Sequence, residues 1–120
     1  MYQVLAACTG RGDCELLLFL NEIEGSVEKD AIRMANLLER TAKEGPSRRT
    51  EISHQIEDEI YEFIQGRLRV LWFYDEGLIV VCSHGFIKKT KKTPRRELRK
   101  AKETRSRYFE DKRKGKITIE

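Results

Sequence analysis

The sequence predicts an α+β fold: an N-terminal strand and a helix hairpin packed on a small, mainly antiparallel sheet, followed by a basic C-terminal helix. Three observations carry this. Residues 59–87 hold runs rich in β-branched and aromatic side chains, bounded by Gly66 and by Asp75-Glu76-Gly77. Residues 13–44 instead repeat apolar positions at spacings of three and four, the helical period. Residues 88–116 carry fifteen Lys and Arg against four acids, a net +11, and Thr93-Pro94 opens a helix inside that stretch.

Tyr2 to Cys8 is a short apolar run and reads as a first strand, broken by Thr9-Gly10-Arg11-Gly12. Asp13 caps a helix with Leu16, Phe19, Leu20 and Ile23 on one side, and Gly25 ends it. Ser26 caps a second helix. Its stripe is Ala31, Ala35, Leu38 and Ala42, with Met34 and Leu37 beside it, and Gly45-Pro46 stops it. Ser47 to Asp58 is polar and reads as a loop that carries His54.

Three strands follow: Ile60 to Gln65, Arg67 to Tyr74, and Leu78 to about Phe86, with Asp75-Glu76-Gly77 as nothing more than a tight turn. In the middle strand, period two puts Leu68, Val70, Trp72 and Tyr74 on one face. Arg67 and Arg69 point the other way, with Leu71 and Phe73. Arginines buried alone are costly, so that face is expected to be open and to meet an anionic ligand. The last helix offers only Leu98, Ala101, Tyr108 and Phe109 as apolar contacts and is expected to be weakly held. Its cap is Thr93, and about residues 109–120 form a basic tail with room for an edge strand at Ile117-Thr118-Ile119.

A chain of 120 residues fits one domain, 1–120. Mixed charges and strong apolar runs exclude a disordered chain. Residues 1–87 carry a net −6, so the positive charge is concentrated in the C-terminal part and points to a polyanion partner. No run approaches the ~20 apolar residues of a membrane span, which argues against a membrane partner. Cys8, Cys14 and Cys82 have no framework spacing and read as free thiols of a cytoplasmic protein. Neither they nor the two histidines have a zinc spacing, so no metal is expected.

Four stretches together carry a resemblance: Ile60-Tyr61-Glu62-Phe63, Arg69 to Tyr74, the run His84-Gly85-Phe86-Ile87-Lys88-Lys89-Thr90, and Lys92-Thr93-Pro94 before a basic helix. From about Val4 to Tyr108 the chain resembles the RelE/HigB superfamily of toxins from bacterial type II toxin–antitoxin systems, especially its phage-derived, HigB-like branch. The resemblance implies a small α+β endoribonuclease, needing no cofactor, that cleaves messenger RNA in the ribosomal A site. It also implies neutralisation by a cognate antitoxin, in this branch often a small helix-turn-helix protein. Branch members often carry an Arg just after the Tyr-Glu-Phe element; here Ile64 stands there, which shifts weight to Arg67 and Arg69. Two other readings use the same basic surface: a non-catalytic RNA- or ribosome-binding protein, and an inhibitory toxin with another target such as DNA gyrase.

Metal-free RNA cleavage needs a base for the 2′-OH proton, fixed positive charge at the phosphate and an acid for the 5′-oxygen. Arg69 is the candidate phosphate clamp, because a guanidinium matches phosphate with two N–H groups and stays charged; the alternative is a salt bridge to Glu62. Lys88, Lys89, Lys91 and Lys92 cluster where the third strand exits, and one of them can serve as acid or base. The alternative is a solvated run that only positions RNA, as Arg67, Arg95, Arg96 and Arg99 are expected to do. His84, read as sharing a strand face with Cys82, is either a proton carrier or a core histidine. Tyr108 either stacks on a base or reaches a phosphate, or it anchors the last helix. His54 reads as a surface residue.

Overall fold

The computed structural model describes residues 2–7, 14–22, 28–89 and 92–115. In chain order these form β1 (Gln3–Ala6), α1 (Glu15–Glu22), α2 (Glu28–Glu44), β2 (Ser53–Glu57), β3 (Ile60–Gln65), β4 (Leu68–Asp75), β5 (Ile79–Ile87) and α3 (Arg95–Arg113). The five strands make one sheet in the order β1-β5-β4-β3-β2. Only the β1–β5 pair is parallel. The α+β architecture is as the sequence predicts, and the expected caps Asp13 and Ser26 lie outside the described residues.

The helices α1 and α2 cover one face of the sheet. Leu16, Met34 and Leu37 pack there on Phe63, Leu68, Val70, Trp72, Val80 and Cys82. The α2 stripe is centred one position away from the expected one. Met34, Leu37 and Thr41 are buried while Ala35 is exposed, and Ala31 and Leu38 pack at the margin of the same core, so the helix is rotated to centre the stripe on Met34 and Leu37. Thr41 satisfies its hydroxyl on the Leu37 carbonyl at 2.8 Å. The β3–β4 turn is tied to α2: Gly66 has φ +58, and the Asp30 carboxylate occupies the place where a side chain would project.

The opposite face is not open. The helix α3 lies across it and buries Leu98, Ala101 and Tyr108 against Ile60, Leu71, Phe73, Ile79 and Val81. Nor is α3 weakly held, for its thin apolar face is supplemented by charge. The end of β2 and the turn that follows it carry Glu57, Asp58 and Glu59. Glu57 pairs with Arg95 at 2.7 Å and Lys102 at 2.5 Å, Asp58 with Lys102 at 3.1 Å, and Glu59 with Arg105 at 3.4 Å. Near its C-terminus α3 is fixed by Asp75, a buried residue that is more than part of a turn. Its carboxylate accepts from the Tyr108 hydroxyl at 2.8 Å and from Lys112 Nζ at 2.8 and 2.9 Å. Burial pushes the Asp75 carboxyl up, but Lys112, Tyr108 and the Glu76 N–H together hold it below the usual range.

Three further expectations change. The stretch read as a loop contains β2, whose His54 pairs with Glu62 and Ser53 with Phe63. Its polar composition belongs to an edge strand, where few apolar side chains are needed. Pro94, not Thr93, occupies the cap position of α3, and the helix continues through Arg113, so residues 109–113 are not tail. Ile117-Thr118-Ile119 lies outside the described residues. Cys14 is disulfide-bonded and not a free thiol, and Cys8 lies outside the described residues. Cys82 is free and wholly buried, its thiol pushed up to about 12 by desolvation.

The Asp75 anchor can be tested apart from function. Tyr108→Phe removes one hydrogen bond to a buried carboxylate without opening a cavity, and is expected to cost about 1.5–3 kcal/mol. Urea unfolding followed by far-ultraviolet circular dichroism measures this; a loss below about 0.5 kcal/mol would mean that Lys112 alone holds Asp75.

Candidate functional site

A single row of residues crosses the α3 face of the sheet. His54 on β2 stands opposite Glu62 on β3, Glu62 opposite Leu71 on β4, and Leu71 opposite His84 on β5. Opposed residues in an antiparallel pair project to the same side, so both histidines share this face.

For His84 this depends on a bulge. The register slips between Leu71 and Trp72, so that Leu71 faces His84 but Trp72 faces Cys82, and Ser83 is the extra residue. Before the bulge, Val80 and Cys82 lie under α1 and α2. After it, Phe86 joins the α3 side. Cys82 and His84 therefore lie on opposite faces, contrary to the simple alternation. His84 is buried, with Nδ1 2.9 Å from Ser83 Oγ and Nε2 3.0 Å from Glu97 Oε1 on the first turn of α3. Burial favours its neutral form, as does nearby Lys100, and the pull of Glu97 does not overcome them.

Glu62 is the centre of the other half of the row. Its side chain is 1% exposed, and three groups surround it. Thr93 Oγ1 donates to Oε2 at 2.7 Å. Arg69 Nε is 3.7 Å and His54 Nε2 3.4 Å from Oε1. Arg69 stands opposite Ile64 and Phe86, two pairs further toward the sheet end than the row, and its Nη1 donates to the carbonyls of Gly66 at 2.7 Å and Leu68 at 2.9 Å. Its guanidinium is thereby fixed in orientation, with the side chain still 13% exposed. His54 Nδ1 lies 2.9 Å from the Thr50 carbonyl, which only accepts. Nδ1 therefore carries the proton, and in the neutral ring the basic atom is Nε2, the one beside Glu62.

The structure brings Arg69 and the strand exit together. The Lys88 N–H donates to the Arg67 carbonyl at 2.8 Å, so the lysines leave the sheet beside the β3–β4 turn. Lys89, Lys92 and Arg67 are exposed and Lys88 is half-buried, while Lys91 lies outside the described residues. On α3, Arg95 is engaged by Glu57, Arg96 Nε is 3.7 Å from Glu97, and Arg99 is exposed. Tyr108 is buried at the other end of α3, with its hydroxyl on Asp75, away from Arg69. His54, Thr93 and Glu97 were not singled out from sequence as parts of a site. The signal for His54 was the acidic turn at Asp58-Glu59 between two short runs, which marks a hairpin once β2 is allowed. Among the described residues no cluster of three or more His, Cys, Asp or Glu is placed to hold a metal ion, and no helix is long and apolar enough to cross a membrane.

This architecture is that of a small RelE-like α+β protein with a cationic sheet end. The family described as Phage derived protein Gp49-like (DUF891) matches residues 20–106, most of the chain. The chain belongs to that family, one associated with RelE-like toxins of toxin–antitoxin systems. No curated protein matches it.

The buried histidine has a measurable consequence. Its folded-state affinity for a proton is below the ordinary value, so near pH 6.5 the unfolded chain binds the extra proton and the folded chain does not. Stability is therefore full above that range and falls as pH drops through it. Thermal melts between about pH 7.5 and 5.5 are expected to show this decline, and His84→Gln is expected to flatten it. An unchanged slope in the variant would place the titrating group elsewhere.

Proposed function

We propose that this chain is the toxin of a toxin–antitoxin pair and acts in the cytoplasm as a metal-independent endoribonuclease on ribosome-bound messenger RNA. One observation supports it above the rest: an orientationally fixed guanidinium, a half-exposed imidazole and a cluster of lysines meet at one end of the sheet. That set supplies the charge and proton transfers of RNA cleavage.

In the proposed reaction His54 Nε2, or a lysine of the 88–92 cluster, takes the 2′-OH proton. The 2′-oxygen attacks phosphorus, and Arg69 stabilises the charge that builds on the non-bridging oxygens. The P–O5′ bond breaks, and Lys88 or Lys89 donates a proton to the leaving oxygen. The products are a 2′,3′-cyclic phosphate and a 5′-hydroxyl end. Arg67, Lys91, Lys92, Arg96 and Arg99 hold the strand, with Arg95 joining them when Glu57 releases it. In this reading His84 and Tyr108 position α3 and do not touch RNA. The cognate antitoxin, a small helix-turn-helix protein in this reading, holds the activity in check.

Arg69→Ala is a poor test, because it leaves Glu62 buried without its cation, a change that typically costs about 3–5 kcal/mol. Arg69→Lys keeps a cation there and loses the planar fork. Induction of the parent chain is expected to arrest bacterial growth, and primer extension on a translated message to show cuts. Arg69→Lys is expected to reduce single-turnover cleavage about 10²–10³-fold, and His54→Ala by a similar factor, with melting temperatures near that of the parent. Normal cleavage by folded Arg69→Lys would sink the clamp role. Ribosome binding without any cuts would favour the non-catalytic reading.

A further inference from the structure

On the face of the sheet opposite α3, beyond the end of α2, lies a cleft of about 500 Å³. Its aromatic wall is built from Tyr2, Tyr61, Trp72 and Tyr74, and Glu44 and Arg48 stand at the α2–β2 connection. The wall is preformed. Trp72 is stacked between Phe63 at 4.8 Å and Tyr61 at 4.7 Å. Tyr74 meets Tyr61 at 77° and Trp72 at 82°, and remains 41% exposed. The Tyr2 ring is seated over Gly45, whose φ of +86 and missing side chain make the room.

The polar groups of the cleft are under-used. Trp72 Nε1 has no hydrogen-bond partner but is buried, so Trp72 backs the cleft as ring surface and not as a donor. Arg48 is exposed and has no ion pair among the described residues. The Tyr74 hydroxyl is kept protonated by burial and by the neighbouring Tyr61 and Tyr2 phenols, so it too is available as a donor.

We propose that this cleft binds a nucleotide, with its base against Tyr74 and Tyr61, its phosphate at Arg48, and its base or sugar N–H and O–H groups facing Glu44. Ring surface for a planar guest, the Tyr74 hydroxyl for a base acceptor, a carboxylate for an amino or hydroxyl group and one unpaired cation at the rim are together the needs of that ligand class. An aliphatic ligand would waste the rings, and a bare anion would meet Glu44. The nucleotide is either free or one unit of a single strand; the recognition chemistry is the same. His54, the edge-strand residue beside Glu62, also lines this cleft, so the two sites adjoin, while the groups assigned to the base, sugar and phosphate lie outside the Glu62–Arg69 site.

Trp72 is the chain's single tryptophan, so fluorescence excited selectively at tryptophan reports on this wall. The full-length chain would be titrated with AMP, GMP, CMP, UMP, adenosine and a short single-stranded RNA. Saturable quenching is expected. Tyr74→Ala should weaken binding about tenfold or more, as loss of one stacking partner does. Arg48→Ala should weaken AMP but leave adenosine unchanged. Arg69→Lys should leave the mononucleotide titrations unaltered, which separates this site from the cleavage site. Binding of mononucleotides identifies a free-nucleotide pocket; binding of RNA alone, still sensitive to Tyr74→Ala, identifies a base subsite of a longer strand. No saturable change with any probe at millimolar concentration, or a change that Tyr74→Ala leaves intact in a folded variant, overturns the proposal.

Discussion

The buried carboxylate of Glu62 constrains everything around it. An ionised carboxylate in the middle of a sheet is tolerable only if charge and hydrogen bonds surround it. Here Arg69 comes from the neighbouring strand and Thr93 from the segment that leads into α3, while His54 on the edge strand stands beside the carboxylate and donates to it only when its ring is protonated. The same requirement therefore holds the guanidinium in place and ties the start of α3 to the sheet. The groups that satisfy Glu62 are also the groups best suited to handle a phosphate, so stability and chemistry share one set of residues.

A second constraint concerns α3. Its mean composition is too polar for the hydrophobic effect to dock it unaided, and the acidic turn between β2 and β3 makes up the difference on one flank. Individually, such exposed pairs are worth little, typically about 0–1 kcal/mol. Asp75, with its side chain wholly buried, is the stronger anchor. The consequence for function is that several bases of the +11 segment are spent on intramolecular acids. Of the bases with no acid partner among the described residues, Lys88, Lys89 and Arg99 lie at the β5 exit and early in α3, and Arg107 and Arg113 lie nearer its C-terminal end.

The two faces of the sheet are thus differently equipped. The α3 face carries charge, proton carriers and fixed guanidinium geometry. The α2 face, past the end of that helix, carries rings, the Tyr74 hydroxyl and the Arg48 cation. A family associated with toxins sets the frame for both, and His54 on the edge strand lines the cleft as well as facing Glu62, so the two sites adjoin at β2.

The sequence by itself determined the α+β class, the β3–β4–β5 meander, the two amphipathic helices and the concentration of positive charge, because periodicity, turn residues and local charge are written in neighbouring positions. It also made Glu62 and Arg69 legible as a pair, since two adjacent short strands with one turn leave few registers. Three things were decided only by tertiary structure. The strand β2 is polar and gains its identity from pairing with β3, so His54 looked like surface until Glu62 stood opposite it. The bulge at Ser83 reverses the alternation of β5, and no local rule announces one extra residue, so His84 changed faces. The helix α3 covers the face that two arginines seemed to leave open, because Asp75 and the Glu57–Glu59 turn, far away in sequence, supply the counter-charges that dock it. Local pattern fixes elements; pairing of distant charges and one slipped register fix which side of the sheet their chemistry occupies.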